Sequence, residues 1–332
     1  MTAPSARPPS APAAHRLALL QNIGAVLTWS LVPSMIRFVA GSFSVNFQNS
    51  VRYLASLAVL WPLVLLTAGR ARRASYARLL RSKAGKIVLV ALANYAFQVC
   101  YTYSLYLVMP SVMTLVSQTQ VLFGVFFAVL LFKDERAIVG SPAFIAGIVL
   151  ALGGVSLVIG GGPSFGSPAF GAGVLLVVGS AFSWALLGAL LRAWLPEAPP
   201  LLSLTAVFTV VTPLFIVTYA VAHVGFPIPV APPLHWFVLI ASGLLGVGLG
   251  QSLFYRAVPV LGIAVSSSIN LLTPFLASAV SYLVYGERLT PLQLGGAAVL
   301  ICGSWLVVRA RFRAPGSGGS GGLSPAGASP PL

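Results

Sequence analysis

Two stretches of 39 residues decide the fold: Gln98–Arg136, QVCYTYSLYLVMPSVMTLVSQTQVLFGVFFAVLLFKDER, and Gly250–Arg288, GQSLFYRAVPVLGIAVSSSINLLTPFLASAVSYLVYGER, which align without a gap at an offset of 152. Each reads as an apolar helix, a turn of two or three residues (Met109-Pro110-Ser111 in one, Leu261-Gly262 in the other), a second apolar helix and a closing pair, Glu135-Arg136 or Glu287-Arg288. Six positions are identical, among them Tyr103/Tyr255 and Phe123/Phe275, little more than so apolar a composition gives by chance. The gapless layout carries the inference of an internal repeat, the alternative being two ordinary helical hairpins in an apolar chain.

Apolar residues make up 58% of the 332 and charged residues 7%, with a mean hydropathy of +0.96, so there is too little polar surface to face water and the chain reads as an integral membrane protein. Its net charge of +15 sits in short loops between apolar runs, where it offers no solvated basic face to nucleic acid. Cys100 and Cys302 fall within apolar runs and read as small buried hydrophobes rather than a disulfide framework.

Runs long enough to cross about 30 Å of hydrocarbon at about 1.5 Å per residue fall near 17–39, 45–67, 87–108, 112–132, 141–160, 170–191, 201–222, 235–255, 263–284 and 291–308. The first of them, from Leu17 to Ala40, is too long for the apolar core of a signal peptide. The expected fold is an all-α integral membrane protein of ten transmembrane helices, arranged as two inverted five-helix repeats at 15–161 and 168–309. Residues 1–14, rich in Pro and Ala, are expected to be disordered, and 310–332, with Gly-Ser-Gly-Gly-Ser-Gly-Gly, to form a flexible tail, since neither composition buries apolar area.

With the N-terminus inside, sixteen cations (Arg7, Arg16, the cluster Arg70 to Lys86, Lys133, Arg136, Arg192, Arg256, Arg309, Arg311, Arg313) fall on inner segments, against Arg37 and Arg288 outside and Arg52 within helix 2. That asymmetry predicts both termini in the cytoplasm of an inner-membrane protein. Five helices per repeat is an odd number, so the second copy enters upside down. Such repeats let a carrier exchange inward-open and outward-open states around a site near the midplane.

Several short motifs resemble one family: Val26-Leu27-Thr28-Trp29-Ser30 in helix 1, Arg52-Tyr53 in helix 2, the helix ends Lys133-Asp134-Glu135-Arg136 and Tyr285-Gly286-Glu287-Arg288, and the glycines of helices 5 and 10 (Gly147, Gly153, Gly154; Gly295, Gly296, Gly303). The chain from 17 to 308 is similar to two units of the EamA family of the drug/metabolite transporter superfamily. The resemblance implies ten helices with both termini inside and export of an amino acid, metabolite or toxic compound, with import of a metabolite as the alternative direction. The proline near the start of the fourth helix is missing, Leu122 standing opposite Pro274, so no kink is expected in helix 4.

A pathway should be lined by polar groups that hydrocarbon would exclude. Asn94, Gln98, Tyr101 and Thr102 share one face of helix 3, Thr114, Ser117 and Gln118 lie in helix 4, and the repeat partners Ser266 and Asn270 lie in helix 9. Asn94, Gln98, Tyr101, Gln118 and Asn270, with Gln251 in helix 8, are candidate substrate ligands; the competing role is interhelical hydrogen bonding. Trp29 and Trp184, near their helix centres, serve either as an aromatic wall or as packing. Arg52 is expected to snorkel to the outer surface rather than bind a carboxylate, and Arg37, Gln21 and Asn22 are either gate residues or solvated edges.

All four acids (Asp134, Glu135, Glu197, Glu287) and the three histidines (His15, His223, His235) lie in loops or at helix ends. A proton antiporter carries a titratable group in the membrane and a cation pore an acidic ring, so uniport or exchange is expected. A membrane-embedded enzyme, the rival class, would need a nucleophile with its base or a metal cluster. No cofactor, metal or nucleic-acid partner is expected. The expected partners are a small-molecule substrate and the bilayer, and the chain acts as a monomer or weak homo-oligomer.

Overall fold

The computed structural model describes residues 11–68, 70–131, 141–162, 164–223 and 225–313. It holds ten apolar spans long enough to cross a membrane: Ala13–Phe38, Val45–Thr67, Ala84–Leu107, Pro110–Leu131, Pro142–Gly160, Pro168–Trp194, Pro200–Ala222, Pro233–Gly262, Ser268–Tyr285 and Pro291–Arg309, numbered here 1 to 10. Five spans fall in each repeat and the second set runs inverted to the first. The Lys133–Arg136 end of the first repeat lies outside the described residues.

Four features differ from the expected layout. The basic cluster is itself a helix, Arg70–Ser82, rather than a loop. Helix begins at Ala11, inside the stretch expected to be disordered, and runs on to Arg313, inside the tail expected to be flexible. Span 8 runs past its expected end at residue 255, through Arg256 and Pro259, because a proline removes one intrahelical hydrogen bond and the turn comes only at Gly262, whose φ of 79° suits glycine. Cys302, expected to be buried, is exposed on span 10.

Spans 5 and 6 start alike. Ser141 and Ser167 each accept from the amide of Phe144 or Phe170 at 3.2 Å, with proline in the first turn where no N–H is needed. Span 10 starts with a capping box, Thr290 and Gln293 each accepting the other's amide at 3.2 and 3.0 Å. Thr290 Oγ1 also donates to the Gly161 carbonyl at 2.9 Å, which ties span 10 to the end of span 5. Along that pair the backbones touch: a Cβ on Gly154 would stand 2.4 Å from the Leu300 nitrogen, and one on Gly303 2.4 Å from the Ala151 nitrogen. Small residues give this approach in a membrane, where tight packing replaces the hydrophobic effect between helices.

The other spans form two groups. Spans 3, 4 and 6 pack together, as do spans 8, 9 and 1. The second group is the first with the repeats exchanged, so each repeat lends its first helix to the other. Span 2 packs against spans 7 and 8, where Tyr53 meets the rings of Phe208 and Phe215 at 4.9 and 5.3 Å. Large apolar side chains such as Leu66, Leu175, Val221 and Leu283 are exposed on the outside, the surface a bilayer would cover.

Candidate functional site

Between the two groups lies a cavity of about 150 Å³, lined from spans 1 to 4 of the first repeat and 6, 8 and 9 of the second. A cavity of about that volume takes a ring the size of benzene. Trp29, Gln98, Tyr101, Gln118, Trp184, Gln251 and Asn270 all line it. Seven residues drawn from six spans thus meet at one place.

Asn94 does not line the cavity. It is fully buried beside span 2, its Oδ1 accepting from the Tyr53 hydroxyl at 2.6 Å. The polar face of span 3 is therefore divided: Gln98 and Tyr101 look into the cavity, whereas Asn94 and Thr102 bond to span 2.

Gln118 and Asn270 sit at matching breaks. Span 4 tightens to a 3₁₀ turn over Ser117–Thr119 despite the missing proline, so the straight helix expected there is corrected. The reason is local: the hydroxyls of Ser117 and Thr119 donate to the Thr114 and Val116 carbonyls three residues back, at 2.8 and 2.9 Å, drawing the turn together. Span 9 breaks at Leu271–Leu272 ahead of Pro274. Two repeats thus interrupt equivalent helices by different local means, and each places an amide at the interruption. Discontinuous helices at mid-membrane are where carriers build binding sites, since freed backbone groups and side chains face the cavity rather than lipid.

Trp29 both packs and lines the cavity. Its indole N–H donates to the Gly246 carbonyl at 3.1 Å, so it is a satisfied packing residue, and its ring also walls the cavity. Span 8 winds as a π-helix over Gly243–Gly250, and side chains of neighbouring spans take its carbonyls: Trp29 that of Gly246, and Ser56 that of Gly243 at 2.9 Å. From Trp29 a row of rings crosses the gap between the groups: Phe254 at 5.3 Å on one side, Trp184 edge-on at 6.3 Å on the other, then Phe97 at 4.9 Å from Trp184 and Tyr101 at 5.4 Å from Phe97. The edge-to-face pair of Trp29 and Trp184 adds about 0.5–1.5 kcal/mol beyond burial.

Arg52 corrects the expectation of snorkelling. It is 1% exposed and lines the cavity. Its Nη1 donates to Asn49 Oδ1 at 3.2 Å and to Thr102 Oγ1 at 3.4 Å, polar groups that replace the water a snorkelling side chain would seek. The groups that hold it are Asn49, one turn before Arg52 on span 2, and Thr102, on the facing side of span 3.

All three hydrogen bonds found between the two groups among the described residues lie at one end of the cavity. Arg37 donates to the Leu105 carbonyl at 2.8 Å, and Ser111 donates to Glu287 from its hydroxyl at 2.7 Å and its amide at 3.3 Å. Arg37 is therefore half-buried and bonded across the two groups. Asn22, at the other end of span 1, is buried and donates to the Ser266 carbonyl at 3.2 Å, a contact within one group.

A search of curated proteins found no significant match. A solved crystal structure, described only as that of a protein, aligns with a TM-score of 0.60 over 87% of this chain and 95% of its own at 18% identity, a likeness of fold. The family model of the EamA-like transporter family matches residues 16–160 and 171–309, one copy on each five-span repeat, and with nearly the whole membrane-spanning region covered, this multi-pass membrane protein belongs to that family.

Proposed function

We propose that this protein is a secondary carrier that moves a small, partly apolar metabolite, an amino acid or a close relative, outward across the inner membrane by alternating access, with both termini in the cytoplasm. The observation that carries the reading is the central cavity, lined from both repeats, with the repeat-related amides Gln118 and Asn270 at two helix breaks. The row of aromatic rings suits an apolar side chain, and the amides suit a polar head. The sixteen-to-two distribution of cations supports the orientation.

Alternating access is supported by the exchanged packing of the two groups. Rocking one group against the other would open the end now held by Arg37 and Glu287 and close the opposite one. Transport then draws on the substrate gradient rather than on an interior carboxylate. One chain contains the whole cavity, so the carrier is a monomer, or a weak homo-oligomer whose protomers act singly.

The test is counterflow in proteoliposomes with a panel of amino acids, hydrophobic cations and a sugar phosphate. Saturable counterflow of an amino acid is expected. Transport of the dianionic sugar phosphate without amino acid flux would refute the substrate class, and flux of the cations alone would point to drug efflux.

A further inference from the structure

Two residue sets lining the cavity carry buried polar atoms that find no hydrogen-bond partner among the described residues, and the two sets are of opposite kind. On span 2 the Arg52 guanidinium is bonded through Nη1 alone; its Nε is buried without a partner, and no hydrogen bond holds Nη2. On spans 8 and 9 the unpartnered buried atoms lining the cavity are oxygens: Gln251 Oε1, Asn270 Oδ1 and Thr273 Oγ1. Buried polar groups in a membrane are ordinarily bonded, and each orphan calls for an occupant.

Charge makes the case stronger. Of the acids the structure describes, Glu197 lies 3.4 Å from Lys83, and Glu287 accepts from Ser111 and Ser281. Neither faces Arg52, so a buried cation stands in the cavity with only a neutral amide and a hydroxyl against it. An unpaired buried charge is costly, whereas the Nε and Nη2 edge of a guanidinium presents two parallel N–H donors at the spacing of a carboxylate's oxygens.

We infer that Arg52 receives the substrate's carboxylate through Nε and Nη2, and that Gln251, Asn270 and Thr273 receive its ammonium group, so the cavity is built for a zwitterionic α-amino acid. This rests on the carrier reading above and deepens it. Trp29 and Trp184, paired edge-on in the cavity wall, take the side chain and offer the ammonium their ring faces. The site rejects a hydrophobic cation, which leaves Arg52 unpaired, and binds a simple carboxylic acid less well, since that leaves the three oxygens empty.

Binding to the purified protein tests the inference independently of transport. Trp29 and Trp184 line the cavity, so ligand entry is read from intrinsic fluorescence, with thermal unfolding as a second readout. The probes are the standard amino acids, then leucine, leucinamide and 4-methylpentanoate as a matched set. Leucine is expected to bind about tenfold or more tightly than either relative. Arg52→Gln should bring leucine and leucinamide to equal affinity, and Arg52→Lys should restore part of the difference, which separates loss of the carboxylate contact from loss of fold.

Equal binding of leucinamide and leucine to the wild-type protein would overturn the inference, as would discrimination that survives in Arg52→Gln. Failure of every amino acid to bind at millimolar concentration would do the same. Carboxylate-dependent binding without counterflow would instead refute the carrier reading and leave the site standing.

Discussion

Ser111 Oγ donates to Glu287 Oε2 at 2.7 Å, joining the first turn of span 4 to the end of span 9 across the two groups. The same carboxylate oxygen accepts from the Ser111 amide at 3.3 Å and from Ser281, so it caps a helix N-terminus where negative charge is favoured. Removing such a half-buried charged partner costs about 1–3 kcal/mol, enough to shift a two-state equilibrium by about 5- to 150-fold. Glu287→Ala is therefore expected to loosen this end. A cysteine at Thr114, in the cavity one turn inside Ser111, should then react several times faster with an impermeant thiol reagent applied from this side, in a background lacking Cys100 and Cys302. Unchanged labelling would mean that Arg37 and packing hold the closure without Glu287.

Asn94 and Gln98 are one turn apart on span 3 and should fail in different ways. Asn94→Ala strands the buried Tyr53 hydroxyl and is expected to cost about 1–3 kcal/mol, seen as a lower Tm in detergent with KM for counterflow unchanged. Gln98→Ala removes a group from the cavity and should raise KM with little change in Tm. A raised KM in Asn94→Ala with an unchanged Tm would contradict this division.

The contrast shows where the sequence was readable. Spans were legible because hydropathy over some twenty residues is an average that survives local irregularity, and Gln118 and Asn270 because an offset of 152 relates them. The side of span 3 that meets span 2 was not legible, since helical spacing places Asn94, Gln98 and Thr102 on one face without saying which neighbour covers which part. The fate of Arg52 was hidden likewise: snorkelling is decided by the groups opposite it, Asn49 and Thr102, and only tertiary packing reveals them. The break in span 4 arises from hydroxyls bonding back to carbonyls, a weaker sign than the proline of span 9.

Gly154 and its neighbour Gly153 make a controlled pair. A Cβ at 154 would stand 2.4 and 2.6 Å from the nitrogen and Cα of Leu300, backbone atoms that cannot turn aside, whereas one at 153 meets nothing within 4 Å. Gly154→Ala should separate spans 5 and 10 and cost about 1–3 kcal/mol, measured as a drop in Tm. Gly153→Ala should be neutral or slightly stabilising, since alanine is the better helix former. Equal Tm values for the two variants would show that spans 5 and 10 are not in backbone contact.

Gly250 supports the cavity wall. A Cβ there would come within 2.6 Å of Trp29 Nε1 and 2.7 Å of Thr28 Oγ1. Gly250→Ala should push the indole off the Gly246 carbonyl and into the cavity, raising KM about tenfold or more while the protein still inserts. Trp29→Phe, which keeps a ring but gives up the N–H, should do less. An unchanged KM in Gly250→Ala would mean that the position of Trp29 does not shape the site.

The last prediction concerns energy. Neither carboxylate described, Glu197 or Glu287, and none of His15, His223 and His235 lines the cavity, so a proton gradient finds no such group there to act through. Collapsing the gradient at constant pH should leave initial exchange rates nearly unchanged. Arg52 sharpens the expectation. A net transport cycle must return the cavity empty, with the Nε and Nη2 donors of a buried guanidinium unmatched, whereas an exchange cycle returns it loaded. Amino acid exchange should therefore be faster than net efflux, and Arg52→Gln should narrow the ratio by slowing exchange more than net flux. If an imposed pH gradient alone drives substrate uphill, the energy enters through a proton-carrying group brought to the cavity in another conformation, and Glu287, already at the moving joint, is the first to replace with glutamine.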